Sequence, residues 1–259
     1  MEEQDYEYRD LLATTWDLFR GDTSQWPDRF FFRDSVNMLG EPVLDVGCGT
    51  GRLLLDFMLD GIDIDGVDNS PEMLALCRDK ADKLGLQPNL YLQEMQEMNL
   101  PRKYRVIMVP SSSFQLVTNP RAARRTMACF YDHLLAGGFL VMPFILIWQD
   151  GDPLQTDWVQ DGEIERPADG VWIHRWSRAR YDLKNQLEHT ETRYEVFRDG
   201  QLITSEYHVR SPATRWYSQA QALDLYRAAG FVELQVFSEF SRKPAKADDQ
   251  TYSVIGMKE

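Results

Sequence analysis

Between Val43 and Arg52 the chain reads VLDVGCGTGR, an apolar run carrying one carboxylate, Asp45, followed by glycines at alternate positions, Gly47, Gly49 and Gly51. A glycine turn between a strand and a helix lets backbone approach a ligand closely and aims helix-terminal amides at it. The dinucleotide pattern G-x-G-x-x-G needs a third glycine where this chain has Arg52, and no G-K-[ST] follows to make a phosphate loop. Asp45 narrows the choice further. Beside a pyrophosphate it would cost roughly 1 kcal/mol or more at short range, whereas a ligand carrying an ammonium and a sulfonium gains from it.

An adenosine ligand would also need an acid at the end of the second strand to accept from both ribose hydroxyls. The segment IDGVDNSPEML supplies Asp68 at that point. A calcium loop is a poor rival for DIDGVDN, because its glycine is misplaced and Leu74 stands where the bidentate acid should be.

On these residues Val43 to Arg52 resembles the first motif of the class I S-adenosylmethionine-dependent methyltransferases. The resemblance implies that Asp45, Gly47, Cys48 and Gly49 line the amino-acid end of the cofactor S-adenosylmethionine. It implies that Asp68 and Asn69 hold the ribose and that Met73 packs on adenine. Where similar proteins end the third strand in an acid, this chain has Gln93-Glu94-Met95, so Glu94 would face the adenine amino group and Met95 would offer its backbone amide. Glu97-Met98 repeats the dipeptide and leaves that register open. In VPSSSFQLV, Pro110, Ser111, Phe114 and Gln115 would form the wall between cofactor and acceptor, and Tyr6, Tyr8 and Trp16 would cover the methionine end. The resemblance covers residues 40 to 144 and the closing helix and strands. It implies an α/β, Rossmann-like, doubly wound seven-stranded sheet whose last strand runs antiparallel.

The elements that must position these residues follow from periodicity. Strands are expected over 43–46, 62–67, 90–92, 106–109 and 139–144. Helices are expected over 51–59, 71–84 and 120–135, the last closed by Gly137-Gly138. Strands alternating with helices specify a parallel sheet covered on both faces. The aromatic-rich N-terminal stretch reads as mainly helical, with Pro27 opening a helix at a position where proline is tolerated. After Trp148 the pattern changes. Gly, Asp and Pro punctuate 149–170, and three runs rich in aromatic and β-branched residues follow over 171–181, 186–197 and 201–209, with Asp199-Gly200 as a hairpin signal between the last two. This antiparallel β insertion after strand five, residues 149–216, is expected to fold as a lid within a cofactor-binding domain made of 1–148 and 217–259.

Methyl transfer from a sulfonium is an in-line displacement, so alignment can supply much of the acceleration without a covalent enzyme intermediate. A general base is needed only where the acceptor arrives protonated; among the insertion's histidines, His174, His189 and His208, the last is the preferred candidate. The expected acceptor is a small molecule methylated on N or O. A non-catalytic protein that binds S-adenosylmethionine, a regulatory or scaffold subunit, would show the same cofactor motifs.

The formal net charge of -13 among 259 residues argues against a nucleic-acid partner, which calls for clustered Lys and Arg. No run approaches the roughly 18 apolar residues of a membrane helix, and the acidic start lacks the marks of a secretory signal, so a soluble cytoplasmic protein is expected. Three scattered cysteines, Cys48, Cys77 and Cys129, indicate neither a disulfide framework nor a metal site. An exposed strand edge in the insertion could pair two chains as a homodimer.

Overall fold

The computed structural model describes residues 8–259. Two helices, α1 (Asp10–Arg20) and α2 (Pro27–Leu39), precede β1 (Val43–Val46), α3 (Leu54–Leu59), β2 (Ile64–Asp68), α4 (Pro71–Leu84), β3 (Leu90–Leu92) and β4 (Tyr104–Met108). A 3-10 segment, Pro110–Leu116, leads to α5 (Pro120–His133) and β5 (Leu134–Ile145). The insertion holds β6 (Val159–Arg166), β7 (Val171–Asp182), β8 (Leu187–Arg198) and β9 (Gln201–Arg215), after which α6 (Gln219–Ala228), β10 (Phe231–Ser238) and β11 (Thr251–Lys258) complete the main unit.

The main sheet has seven strands in the order β10-β11-β5-β4-β1-β2-β3. Strands β1 to β5 pair in parallel, and β11 is antiparallel to both its neighbours. Strand β1 is buried at all four positions, and so is β2 at all five. Helices must therefore cover both faces, as the continuous apolar runs foretold. One core, on the α5 and α6 side, contains Phe114, Phe130, Phe144 and Tyr226; the other, under α2, α3 and α4, contains Phe31, Phe32, Phe57 and Leu74. Helix α4 starts where Ser70 accepts from the Met73 amide at 3.1 Å ahead of Pro71, and stops at Gly85 in the left-handed conformation.

Three boundaries depart from sequence expectation. The glycine turn runs on through Leu53, so α3 is only six residues long. Strand β5 begins at Leu134 directly after α5, with Gly137 at φ +70° inside it, so the glycine pair shapes an irregularity in the strand instead of a loop. Strand β6, VQDGEIER, lies within the stretch that Gly, Asp and Pro punctuate; its polar face masks the alternation, and Ile164 is the apolar residue that packs inward.

The second sheet, order β6-β7-β8-β9, is antiparallel throughout. Its inner face presents Val171, Ile173, Tyr194 and Val196 to Leu11 of α1. Helix α1 therefore lies between this sheet and the glycine turn. Its first amides are held by carboxylates from both sides: Asp10 N donates to Glu72 on α4 and Leu11 N to Glu206 on β9 at 2.9 Å. Farther along, Asp17 accepts from Thr50 Oγ1 at 2.8 Å and pairs with Lys80 at 2.5 Å.

Candidate active site

In a doubly wound sheet, ligands bind at the carboxyl ends of the strands where the order reverses, which here is between β1 and β4. A cavity of about 390 Å³ opens at that point. Its size lies within the range of small-molecule sites.

The turn after β1 forms the floor. Gly47 and Cys48 both donate to Val67 O, which fastens the turn to the end of β2. Gly47 sits at φ +71°, and a methyl group on it would come within 2.8 Å of Ser113 Oγ, so the backbone here is bare by necessity. Beneath it, Asp45 is 1% exposed and its Oδ1 has no partner. Burial pushes the Asp45 carboxyl up to about 7, opposed chiefly by Arg52. A buried carboxylate with an idle oxygen beside a ligand cavity calls for a cation.

Arg52, the residue that breaks the dinucleotide pattern, forms a buried bidentate pair with Asp28 of α2 and lies 5.3 Å from the Trp26 ring centroid. It thereby ties the glycine turn to the helix behind it.

At the end of β2, Asp68 lines the cavity and is 9% exposed. Its oxygens accept from Gly49 N at 2.8 Å and Ser70 N at 2.9 Å. Burial holds its carboxyl above the ordinary range, and these amides work against that rise. Each oxygen keeps a lone pair free for a hydroxyl donor. Asn69, Met73, Glu94 and Met95 line the same end, with Glu94 accepting from Asn69 Nδ2 at 3.4 Å and Gln96 Nε2 at 2.9 Å.

The opposite wall is the segment after β4. Pro110 and Ser111 line it, and Ser111 and Ser112 both adopt left-handed φ, at +55° and +57°. Such a pair of non-glycine residues is strained, and strain of this kind clusters at ligand sites.

Trp16 and Tyr8 reach the cavity from the α1 side, their rings edge to face at 4.8 Å. Arg20, at the end of α1, was not singled out from sequence. Its guanidinium lines the cavity, donates to Ser111 Oγ at 3.2 Å and stacks 4.3 Å from the Trp16 centroid, without a carboxylate partner among the described residues. Burial and the neighbouring Arg52 lower its pKa, opposed in part by Tyr8, Asp28 and Asp17. The i, i+4 spacing of Trp16 and Arg20 is the signal that could have found it.

Three expected residues fall elsewhere. Phe114 is 0% exposed in the core, among Phe130, Phe144 and Tyr217, because the 3-10 turn points it inward. Gln115 is equally buried and clasps two elements, donating to Ile145 O and Arg215 O and accepting from Ile145 N at 2.7 Å. His208 is off the cavity, 3.3 Å from the Glu206 carboxylate that anchors α1, with its ring edge on Tyr194. Tyr6 lies outside the described residues. None of the four histidines lines the cavity, and of the insertion only Arg210 does. The second sheet acts on the site mainly by holding α1.

The mixed seven-stranded sheet with an antiparallel last strand, with an acid and a glycine turn at the first strand and an acid at the second, is the arrangement that the resemblance to the class I S-adenosylmethionine-dependent methyltransferases implies. Residues 43–138 match the family model described as "Methyltransferase domain". A protein of Geobacillus sp. (strain WCH70), whose name calls it a methyltransferase and gives no substrate, is 24% identical over 213 residues, 82% of this chain and 83% of that one. The dTDP-3-amino-3,4,6-trideoxy-alpha-D-glucopyranose N,N-dimethyltransferase of Streptomyces venezuelae is 27% identical over 137 residues, 53% of this chain and 54% of its own length, so the match spans about half of that enzyme. Among solved structures, a sugar N-methyltransferase of Streptoalloteichus sp superposes with a TM-score of 0.74 at 20% identity, covering 100% of this chain and 98% of that one. The chain thus carries a methyltransferase domain over residues 43–138 and shares its fold with solved S-adenosylmethionine-dependent methyltransferases. Among the described residues no helix is long and apolar enough to cross a membrane.

Proposed function

We propose that this enzyme methylates a small-molecule amine or hydroxyl by in-line displacement, with the cofactor's methionine end held between Asp45 and Arg20. The observation that carries the reading is this pair. A buried carboxylate with an idle oxygen and a half-buried guanidinium with no carboxylate at ion-pair distance among the described residues face one cavity, as an amino acid's ammonium and carboxylate require. Asp68, Asn69 and Met73 take the ribose and adenine, with Glu94 and Met95 beyond them.

S-adenosylmethionine supplies a methyl group made electrophilic by the sulfonium. The chain's own contribution is alignment and exclusion of water. Pro110 and Ser111 fix one wall, Trp16 and Tyr8 cover another, and α1 is pinned down by Glu72, Glu206 and Thr50. With no histidine on the cavity, the acceptor enters already neutral or sheds its proton to water. The names of the two sugar amine methyltransferases support a nitrogen acceptor.

Calorimetry with S-adenosylhomocysteine, using NADH as the control ligand, tests the cofactor assignment. Asp68→Ala is expected to weaken binding by about a hundredfold, the loss of two charge-assisted hydrogen bonds. Unchanged affinity in that variant, or preference for NADH, would remove the assignment.

A further inference from the structure

Residues 21–26 join α1 to α2, and an aromatic side chain closes the connection. Gly21 at φ +61° turns the chain out of α1 directly after Arg20. Trp26 stands as the cap residue ahead of Pro27, its amide donating to Thr23 O at 3.1 Å. The half-buried indole is not part of the cavity lining. It meets two guanidiniums that are, Arg20 at 5.2 Å and Arg52 at 5.3 Å from its ring centroid. Both distances allow a cation–π contact.

The two cations are balanced differently. Asp28, two residues beyond Trp26, takes Arg52 in the bidentate pair. Tyr8 and two acids, Asp28 and Asp17, reach Arg20 with favourable fields, while Arg52 repels it. Both acids are engaged elsewhere, Asp28 by Arg52 and Asp17 by Thr50 Oγ1 at 2.8 Å and Lys80 at 2.5 Å. Arg20 is held instead by Ser111 Oγ at 3.2 Å and by the rings of Trp16, at 4.3 Å, and Trp26. These contacts fix the guanidinium and leave its charge for a ligand. An unrestrained arginine side chain has many rotamers to lose on binding, and ring contacts remove part of that loss beforehand.

We propose that Trp26 is a positioning residue for cofactor recognition: its indole, braced by Arg52, sets the Arg20 guanidinium toward the carboxylate of the methionine end. Trp26 thereby favours ligands that carry this carboxylate over adenosine compounds that lack it. The inference rests on the placement of Arg20 against that carboxylate under the proposed function.

Calorimetry on the full chain compares S-adenosylhomocysteine with 5′-methylthioadenosine, which shares the adenosine and lacks the amino-acid end. Arg20→Gln is expected to weaken S-adenosylhomocysteine about thirtyfold, the loss of charge-assisted hydrogen bonding to the carboxylate. Trp26→Leu is expected to weaken it about fivefold and to leave 5′-methylthioadenosine unchanged. Trp26→Phe keeps an aromatic face and should stay within about twofold of the native protein. In the double variant Arg20→Gln with Trp26→Leu, the loss should equal that of Arg20→Gln alone, because the indole acts through the guanidinium. Native-like S-adenosylhomocysteine affinity in Trp26→Leu, an equal loss for both ligands, or a loss that multiplies with that of Arg20→Gln overturns the positioning role. Should Arg20→Gln itself bind S-adenosylhomocysteine as the native protein does, the placement of Arg20 is struck and the inference falls with it.

Discussion

Asp45 makes cofactor affinity depend on pH in a direction that can be worked out beforehand. In the free protein burial holds its carboxyl at about 7, some three units above the ordinary aspartate value near 3.9. Between pH ~4 and ~7 the folded chain thus binds a proton that the unfolded chain has lost. Stability falls as pH rises through that window, by at most about 4 kcal/mol at 1.36 kcal/mol per unit. Cofactor binding runs the other way. The ligand's α-amino group stays protonated below pH ~7.7 and prefers the ionised carboxylate, so each unit below 7 weakens binding by up to about tenfold. With a pKa of about 7 in the free protein, the dissociation constant for S-adenosylhomocysteine is expected to be about 25 times larger at pH 5.5 than at 7.5. Asp68 also titrates above the usual range, so a residual slope persists whatever happens at Asp45. The comparison is therefore with Asp45→Asn, which should bind more weakly at pH 7.5, lose most of the slope and be more stable than the native protein above pH 7. Calorimetry and thermal melts at five pH values read all three. A native profile that is flat, or a slope fully retained in Asp45→Asn, refutes the role given to this carboxylate.

Gly47→Ala puts a methyl group 2.8 Å from Ser113 Oγ at a backbone φ of +71°, so it is expected to cost about 1–3 kcal/mol of stability and to displace the turn enough to abolish measurable S-adenosylhomocysteine binding; Gly49→Ala, with open space around it, should keep the fold and weaken binding less, as melts and calorimetry on both would show. For assembly, β9 leaves one edge of the second sheet unpaired and carries Leu202, Ile203, Tyr207 and Val209 at half exposure or more, so sedimentation equilibrium is expected to find a dimer that Val209→Lys dissociates; a monomer at all concentrations would remove the expectation.

Strands β1 and β2 were legible because they are buried at every position and so read as apolar runs, and the turn after β1 was legible because Gly47 stands at φ +71° against Ser113, where only glycine fits. Legibility failed where the deciding contact is remote. Phe114 and Ser111 stand three residues apart in one motif, yet two consecutive left-handed residues turn the serine to the cavity and the phenylalanine to the core. Gln115 carries no local sign that its partners are Ile145 and Arg215. Strand β6 escaped because its charged residues face water from the sheet edge, and only Ile164 betrays the inward side.

The insertion shows the same limit at the level of architecture. Its aromatic and β-branched strands suggested a lid over the acceptor, yet the apolar inner face is consumed by α1, through Val171, Ile173, Tyr194 and Val196 against Leu11. What the insertion offers the site is thus indirect, apart from Arg210. Glu206, steadied by His208, takes the Leu11 amide at one end of α1, while at the other end Arg20 and Trp16 enter the cavity. A helix of 11 residues spans about 16 Å, so a change at Glu206 acts on the methionine end of the site only by tilting that rod. The preferred histidine therefore belongs with the residues that position α1, and any effect of changing it should appear in cofactor affinity before it appears in the pH dependence of turnover.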